Sequence, residues 1–445
     1  MKNKKDVLIS GNFIIEDKEE TCCGLPVRIL AGNEMHREME VYEDTEISDI
    51  KKDAIQKKSI VKQKTSIDNG TIITGSGIIR NCRIGKGVRI DGNVFIENST
   101  ILDNAYIGNN VTIKNSLIKN NAIIDTGAII IESVINSYAE VKHYAIVKNS
   151  FIDKGSVVEQ AEITASLIGS LTGIHHKSLI IAVRWFEGRG NVGAGALIGS
   201  NHTGKAPDQE CDVGEGLFFG IGVNIKYPCN FIYAPYTIIA TGLTLLPQRL
   251  EMPFSLINSP SFLYNKISPA YNEILPGWVI DNGAYIIARN EIKFEKRSRD
   301  ICEYKSIFRE EILREVFNAY KRLCSFSKKK VYTDEDYTGL GKNFLCEDNL
   351  FQAINAYKFF IRLCYFIMKA EDRLHNDIAK MVSKVVDGTR QGKIFNDYLK
   401  LIKSSKERDV KREKKIHGES IKDLDRDEIL VTTEKKIKEY LNEAR

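Results

Sequence analysis

The sequence has little net charge and no long hydrophobic run. Its 64 lysines and arginines nearly balance 59 aspartates and glutamates, so the formal net charge is only +5 over 445 residues. Proteins that bind nucleic acid or an anionic membrane surface usually carry a stronger basic excess. No stretch of about 18 apolar residues exists, so no transmembrane helix is predicted. We therefore expect neither a nucleic-acid partner nor a membrane partner.

Signals for disulfides and for export are also missing. The nine cysteines include no Cys-x-x-Cys pair. Five of them lie among aliphatic or aromatic residues: Cys82, Cys302, Cys324, Cys346 and Cys364. Such cysteines are typical of reduced thiols in the cytosol. The N-terminal residues contain no apolar run of the kind found in signal peptides, so a cytoplasmic location is predicted.

Proline is unevenly distributed. Eight of the nine prolines lie between Pro207 and Pro276, and none follows residue 300. Proline suits loops and strand ends, so 169–290 is predicted to contain long loops. The proline-free part, 300–445, is predicted to be an α-helical domain. Helices are predicted over Tyr304–Phe326, Leu350–Ala370 with Asp348 as its cap, 371–388, 390–405 and 427–443.

The sequence does contain a repeat, from about Ile67 to Ile168. Large aliphatic residues recur every 17 positions in three rows, with 16 positions in the last coil, and neighbouring rows are six, five and six residues apart. The rows are Ile73, Ile90, Ile107, Ile124, Val141, Val158; Ile79, Ile96, Ile113, Ile130, Val147, Ile163; and Ile67, Ile84, Ile101, Ile118, Ile135, Ile152, Ile168. Steps of five and six do not fit the 3.6-residue period of a helix.

Smaller residues accompany the large ones. Two positions before most large residues stands Ala, Ser or Val, as at Ala122, Ser133 and Val94. A separation of two puts both side chains on one face of a strand. Residues that tolerate positive φ fall between the rows and mark corners: Gly85, Gly87, Gly92, Asn98, Asn104, Gly108, Asn115, Asn120, Gly127, Asn149 and Gly155. This predicts a three-sided solenoid, because an antiparallel β-domain has no reason to keep one period over six coils.

The segments Asn98–Ile101, Asn115–Ile118 and Asn149–Ile152 resemble the hexapeptide repeats of left-handed β-helix proteins. The likeness is strongest to the C-terminal β-helices of sugar-1-phosphate nucleotidyltransferases. The resemblance implies that the predicted solenoid is a single-stranded left-handed β-helix, over 67–299 with inserted loops. With the predicted helical domain 300–445, the fold is expected to be mainly β with a C-terminal helical domain. It also implies a homo-oligomer, usually a trimer, with ligand sites at the subunit seams.

Residues 1–66 are predicted to be a small mixed segment. Val7–Ile9 and Phe13–Ile15 read as short strands joined by a turn at Ser10–Asn12, and 34–62 as helical or loosely ordered. The resemblance would imply a large catalytic domain here, with a glycine-rich nucleotide loop. This segment is too short to hold it and has no such loop. If the chain descends from nucleotidyltransferases, it has lost the domain that makes the sugar nucleotide.

Further motifs lie beyond the regular repeat: Leu171–Ser178, Gly199–Glu210, Gly214–Gly216, Ile225–Pro228, Leu246–Arg249 and Pro253–Leu256. They resemble an uncharacterised bacterial family that is described as related to UDP-N-acetylglucosamine pyrophosphorylase. The resemblance covers about 70–300 and is specific over 169–290. It implies a sugar or sugar-nucleotide ligand, but it supplies no established reaction.

Polar side chains crowd the same region. Three of the seven histidines, His175, His176 and His202, fall within 28 residues. His202 lies in a segment with Asn, Thr, Lys, Asp and Gln side chains, which together offer every type of hydrogen-bond partner. Hexapeptide-repeat acyltransferases use a loop histidine as general base. The resemblance therefore implies acyl transfer to a sugar or sugar nucleotide, with acyl-CoA as co-substrate and His202 as the base.

Roles for the neighbouring residues follow from this hypothesis. Asp208 or Glu210 would hold the other ring nitrogen of His202, and Asn201 or a backbone N–H would stabilise the oxyanion. Candidate substrate-binding residues, including cations for phosphate groups, are His175, His176, Arg184, Arg189, Lys205, Lys226 and Arg249. No metal is expected, because adjacent histidines point to opposite sides of a strand and do not jointly ligate one ion.

Two other interpretations stay open. The polar residues could merely fix a long loop by hydrogen bonds and face water. The chain could also be a non-catalytic scaffold or a sugar-nucleotide-binding β-helix that lacks a nucleotidyltransferase domain. The enzyme hypothesis needs His202 within hydrogen-bond reach of a carboxylate and open to a groove. The binding hypothesis needs only an enclosed polar pocket.

Overall fold

The protein is described here by a computed structural model, which covers residues 7–17, 22–30, 38–58, 62, 64–200, 210–325, 328–418 and 424–443. The chain forms two compact units. Unit 1 comprises residues 1–231, 240–248 and 300–302, and unit 2 comprises 232–239, 249–299 and 303–445. The N-terminal segment therefore belongs to the same unit as the repeat.

The repeat forms a parallel β-solenoid with coils of about 17 residues, which confirms the predicted fold class. Each regular coil gives one short strand to each of three faces, A, B and C. Two longer strands, Ile72–Arg80 and Arg89–Glu97, span faces A and B in the first coils. Neighbouring coils pair in parallel and in register, so that Ile113, for example, stands opposite Ile130. The left-handed sense of the coil is what the resemblance implies.

The strand bounds follow the faces. Face A continues with Tyr106–Ile107, Ile123–Ile124, Glu140–Lys142, Val157–Glu159, Gly173–Ile174, Asn191–Val192 and Phe218–Phe219. Face B continues with Val111–Lys114, Ile129–Ile131, Ile146–Lys148, Glu162–Thr164, Leu179–Ile181, Leu197–Ser200, Asn224–Lys226 and Thr244–Leu245. The eleven strands of face C are Ser66–Ile67, Arg83–Ile84, Thr100–Ile101, Leu117–Ile118, Val134–Ile135, Phe151–Ile152, Leu167–Ile168, Val183–Trp185, Cys211–Asp212, Cys229–Asn230 and Gln248–Arg249.

The three predicted aliphatic rows line the interior. Every row member from Ile73 to Ile168 has 0% of its surface exposed. The smaller residues beside them, such as Ala122 and Ser133, are buried as well. A narrow three-sided interior therefore explains why a large and a small residue alternate along each strand.

Most of the predicted corner residues do adopt positive φ. Asn98, Asn115 and Asn149 have φ between 46° and 48°. Gly85 and Gly108 do not need positive φ and are glycine for a different reason. A Cβ at Gly85 would lie 2.5 Å from Oδ1 of Asp103 in the next coil, and one at Gly108 would lie 2.0 Å from Oδ1 of Asp125. These glycines make room for a carboxylate. In the sequence, such a glycine looks the same as a turn glycine.

The interior also contains a ladder of serines. In each coil the hydroxyl donates to a carbonyl two residues back, as Ser116 Oγ does to Lys114 at 2.6 Å. The same oxygen accepts a backbone N–H from the serine of the next coil: Ser133 N donates to Ser116 Oγ at 3.2 Å, and Ser150 N donates to Ser133 Oγ at 3.1 Å. Each buried hydroxyl thus has both a donor and an acceptor partner, which removes the cost of burying it.

The first strand differs from its prediction. β1 (Leu8–Glu16) is one continuous strand that pairs in parallel with Ile72–Arg80, so the predicted turn at Ser10–Asn12 is wrong. Gly11 has a φ of 109° and packs so closely on the next coil that a Cβ would lie 1.8 Å from the oxygen of Gly75. The glycine bends the chain around the corner between faces A and B and does not reverse it.

A short segment after β1 covers face C. It contains β2 (Val27–Leu30), the antiparallel β3 (Glu38–Val41) and α1 (Ile47–Lys51). Its buried residues Val27, Ile29, Val41 and Ile50 pack on outward side chains of face C. Those side chains are Leu117, Val134, Phe151 and Leu167. The segment therefore removes an apolar stripe of the solenoid from water.

Unit 2 combines short strands with the C-terminal helices, whose existence was predicted. Its strands are Ile238–Ile239, Leu256–Asn258, Asn272–Leu275, Val331–Tyr332 and Asn343–Cys346. Its described helices are α2 (Trp278–Asp281), α3 (Ala284–Ser298), α4 (Glu310–Cys324), α5 (Glu347–Ala370), α6 (Asn376–Val386), α7 (Gln391–His417) and α8 (Leu424–Glu443). The predicted cap Asp348 lies within the first turn of α5, and Cys346 is the N-cap. In the described part of the chain, no helix combines the length and apolarity that a bilayer span requires.

The serine ladder predicts that the removal of a single buried hydroxyl lowers the free energy of unfolding measurably. Ser133→Ala would leave the buried N–H of Ser150 without its acceptor, at a cost of about 1–3 kcal/mol in the free energy of unfolding. Ser137→Ala, at a half-buried position one corner away, is the control and should cost less than about 0.5 kcal/mol. Urea denaturation followed by circular dichroism measures both. Equal losses would contradict the ladder.

Candidate functional site

One corner of the solenoid carries a long insertion. In the coil before it, Leu179–Ile181 on face B is linked to Val183–Trp185 on face C by Ala182 alone. In the next coil, the link from Leu197–Ser200 to Cys211–Asp212 takes residues 201–210. Asn201, His202, Lys205 and Asp208 lie in 201–209, outside the residues that the structure describes. Their predicted roles stay predictions, while the two ends of the insertion are described.

Arg184 ties the returning end of the insertion to the previous coil. It stands opposite Asp212 in the face C ladder and binds it with both fork nitrogens, Nε to Oδ1 at 2.5 Å and Nη2 to Oδ2 at 2.7 Å. Nη2 also lies 3.0 Å from Oε2 of Glu210. The three side chains are only 11%, 18% and 20% exposed. Such a bidentate, poorly hydrated contact fixes position better than a surface ion pair does.

The charges of this cluster are already paired. Burial lowers the pKa of the Arg184 guanidinium, but the hydrogen bonds that it donates to Asp212 and the charges of Asp212 and Glu210 outweigh the effect of burial and raise the pKa overall. Two carboxylates leave little positive charge for a phosphate. Among the residues that the structure describes, Nη1 of Arg184 is buried and has no hydrogen-bond partner. The cluster therefore carries little uncompensated positive charge, which suits an uncharged hydroxyl group better than an anion.

Two further residues beside the insertion are buried. Burial raises the pKa of the Cys211 thiol well above its usual range, so Cys211 is no thiolate nucleophile at neutral pH. The Tyr227 hydroxyl donates to the backbone oxygen of Ile181 at 2.7 Å and reaches past the coil that carries the insertion. Lys226, just before it, ends its strand opposite Ser200 and is half-buried. Lys226 thus lies at the described start of the insertion.

Arg189 lies at a different corner, between faces C and A. Its Nη1 is 3.2 Å from Oε1 of Glu215, and the two side chains are only 5% and 4% exposed. A buried ion pair of this kind holds neighbouring coils together, and its loss would leave an uncompensated charge. The structure does not bring Arg189 to the inserted corner.

His175 and His176 occupy the third corner, between faces A and B. His175 Nε2 lies 3.0 Å from Oδ1 of Asn191, and His176 Nδ1 lies 2.9 Å from Oε1 of Gln160. Each ring thus bonds to a side-chain amide of a neighbouring coil. Proximity in the sequence suggested one cluster, but a solenoid turns through a corner every five or six residues. The histidines and the Arg184 cluster are therefore on separate corners.

Arg249 belongs to unit 2. Its guanidinium lies 5.2 Å from the ring centre of Tyr233, and it forms an ion pair with Glu251, which also binds Arg322. Glu251 is nearly buried. Arg249 is thus part of a charge network within unit 2, which its sequence motif did not reveal.

A second group of polar residues in unit 2 was not anticipated. Ligand atoms of Glu310, His375 and Asp377 all lie within 4.8 Å of one another. Nδ1 of His375 is 2.7 Å from Oε1 of Glu310, and Asp377 binds Arg314 at 2.5 Å. These residues come from two helix starts that are far apart in the sequence, so no local motif could have revealed them. The contacts account for each side chain without an ion.

Comparison with known proteins places the chain near families without known activity. Residues 35–213 match the family model described as "Domain of unknown function (DUF4954)". An uncharacterized protein of Treponema pallidum (strain Nichols) is 28% identical over 168 residues, which is 37% of this chain and 22% of that protein. The matched part thus spans about a fifth of the relative's length.

Part of the chain also matches a solved structure from Desulfovibrio desulfuricans G20, which is described as a "putative acetyltransferase". It shares 10% identity with this chain at a TM-score of 0.21, over 43% of this chain and 65% of that one. A likeness of this degree identifies neither the reaction nor the ligand of this chain.

The Arg184 cluster predicts that Arg184 and Lys226, two cationic side chains near the insertion, contribute differently to the free energy of unfolding. Arg184→Gln would leave Asp212 and Glu210 facing each other without a counter-charge, so we expect a loss of about 2–3 kcal/mol in the free energy of unfolding. Lys226→Gln at the same corner should change it by less than about 0.5 kcal/mol. Denaturation curves of both variants test this. If Arg184→Gln is as stable as Lys226→Gln, Arg184 does not anchor the insertion.

Proposed function

We propose that the chain is an acyltransferase of the hexapeptide-repeat class, which transfers an acyl group from acyl-CoA to a sugar or sugar nucleotide at the inserted corner. The observation that carries the proposal is the rigid base of the insertion. Arg184 binds Asp212 with two nitrogens in the strand that follows residues 201–210. A loop fixed at its end by a half-buried charge cluster can hold a catalytic group in a defined place.

The chemistry would use His202 as general base. Its imidazole removes the proton from a hydroxyl or amine of the acceptor, whose oxygen or nitrogen then attacks the thioester carbonyl. The tetrahedral intermediate expels the CoA thiolate, and the imidazolium returns the proton to that sulfur. Asn201 would donate to the oxyanion. Because Glu210 already binds Arg184, we assign Asp208 to hold the other ring nitrogen.

The cationic side chains near the insertion differ in whether a carboxylate already compensates their charge, and this decides which of them can bind a phosphate group. Lys205 and Lys226 are the cations that we assign to phosphates of a nucleotide or of CoA. Arg184 and Arg189 are bound by carboxylates, so we assign neither of them to a phosphate group. The sugar-nucleotide ligand itself rests on the resemblance to the family related to UDP-N-acetylglucosamine pyrophosphorylase.

A non-catalytic, sugar-binding β-helix is the second candidate. It is favoured by the compensated charges of the Arg184 cluster, because hydroxyl groups need donors and acceptors but no net charge. Under this proposal the corner binds the sugar nucleotide and releases it unchanged.

The test is a release assay on the full chain. Acetyl-CoA is combined with a panel of UDP-sugars and free amino sugars, and free CoA is followed with a thiol reagent against a blank that corrects for the protein's own cysteines. We expect release with at least one acceptor. His202→Ala should lower the rate about 10²–10⁴-fold, the usual contribution of a general base, whereas His143→Ala, at an exposed corner of an earlier coil, should leave it unchanged.

Two outcomes would decide against the enzyme. One is a His202→Ala variant that keeps the full rate. The other is stabilisation by a UDP-sugar in a thermal-shift assay with no CoA release from any acceptor, which would establish the binding protein instead.

A further inference from the structure

The N-terminal end of the solenoid exposes an open strand edge. Among the residues that the structure describes, β1 pairs with Ile72–Arg80 only. Leu8 N donates to Thr71 O at 3.0 Å, and Glu16 O accepts from Asn81 N at 3.3 Å. Backbone groups of successive strand residues point to alternate edges. Because the even-numbered residues bond to the next coil, Ile9 and Ile15 direct their N–H and C=O groups to the open side.

The side chains along this edge are apolar and exposed. Leu8 is 56% exposed, Ile14 is 55%, Ile9 is 42% and Ile15 is 37%. Ile9 and Ile15 stand on the interior isoleucines of the next coil, Ile73 and Ile79, which are fully buried. Repeat proteins need a polar cap on their last repeat, and an open apolar edge invites another strand. In the part of the chain that the structure describes, the interior rows of isoleucines thus continue up to this open edge.

We propose that this edge is a dimerisation surface, on which β1 of a second copy of the chain pairs in antiparallel orientation around a two-fold axis at Asn12. In this register, the side chains of β1 in one copy are complementary to those of β1 in the other. Ile9 and Ile15 are each three positions from Asn12, so Ile9 of one copy faces Ile15 of the other, twice. Both pairs lie on the interior side, and the two solenoid cores become one.

The bend in β1 supports the same axis. Gly11 turns the strand between faces A and B, and an axis through that corner exchanges the two faces. Face A of each copy then continues into face B of the other, and the paired strands follow the corner together. A parallel arrangement would need a different surface on the second copy, and such a contact repeats without closing.

The contact area predicts a reversible dimer. Only Ile9 and Ile15 enter the joined core, and their exposed fractions of 42% and 37% add up to less than one whole side chain. Leu8 and Ile14 alternate to the outer surface, like their partners Ile72 and Ile78 in the next coil. A stable interface buries about 800 Å² per partner. The side chains of the edge thus supply only a small part of that area, and nine residues of backbone pairing add to it. We expect association to depend on protein concentration.

Sedimentation of the full chain tests the proposal. We expect the mean mass of the wild type to double as its concentration rises, starting from whatever assembly the other faces form. Ile9→Lys and Ile15→Lys each place two unpaired charges in the joined core and should raise the dissociation constant at least about tenfold. Leu197→Lys, at an exposed apolar position on face B, is the matched control and should behave as wild type.

A cross-linking experiment identifies the register and does not depend on how the lysine variants fold. Opposed residues of an antiparallel pair that are not hydrogen-bonded have Cα atoms about 4.5 Å apart, within the range of a disulfide. Asn12→Cys should therefore form a covalent dimer under mild oxidation, beyond any background from the native cysteines. Ser10→Cys, which faces Ile14 of the second copy, should not.

Three results would overturn the proposal. They are a wild-type mass that is independent of concentration, lysine variants that associate like the wild type, and equal cross-linking of the two cysteine variants. Cross-linking through Ser10→Cys alone would show that another register or another partner occupies the edge.

Discussion

The structure depends on parallel pairing in register between one coil and the next. Each interior residue lies on a residue of the same kind one coil away, so the cross-section of the solenoid is copied along its length. Ile113 opposite Ile130 is one instance, and the serine ladder is another, in which each hydroxyl satisfies a backbone N–H of the following coil. A change of length within a strand would break both contacts at once, whereas the 16-residue coil, which is shorter at a corner, keeps Ile168 opposite Ile152 and Ser166 N bonded to Ser150 Oγ. The constraint on the interior therefore explains the strict period of the sequence.

The same constraint explains why an insertion is found at a corner. Residues 201–210 connect a face B strand to a face C strand, so neither strand loses its partner in the neighbouring coil. The bidentate contact between Arg184 and Asp212, which forms between adjacent coils, stabilises the strand at which the insertion ends. Rigid coils with one variable corner are a common way to vary function on a fixed scaffold.

The sequence predicted the interior well because burial imposes a period that a reader can count. The rows from Ile73 to Ile168 and the corners at Asn98, Asn115 and Asn149 agree with the structure. The predicted turn at Ser10–Asn12 failed because glycine marks any bend, and β1 bends without reversing. The candidate site was harder to predict, since residues close in sequence separate when the chain turns a corner. His175 and Arg184 are nine positions apart and occupy different corners, whereas Arg184 and Glu210 meet although an insertion lies between them.

The segment that packs on face C has a consequence for any lateral assembly. β2, β3 and α1 occupy the outer side of the coils that carry Leu117, Val134, Phe151 and Leu167. Along these coils, face C of unit 1 is already covered by the protein's own chain. A neighbouring solenoid cannot pack against that face. Side-by-side packing of solenoids along these coils is therefore restricted to faces A and B. The segment thus limits how copies of unit 1 can associate laterally.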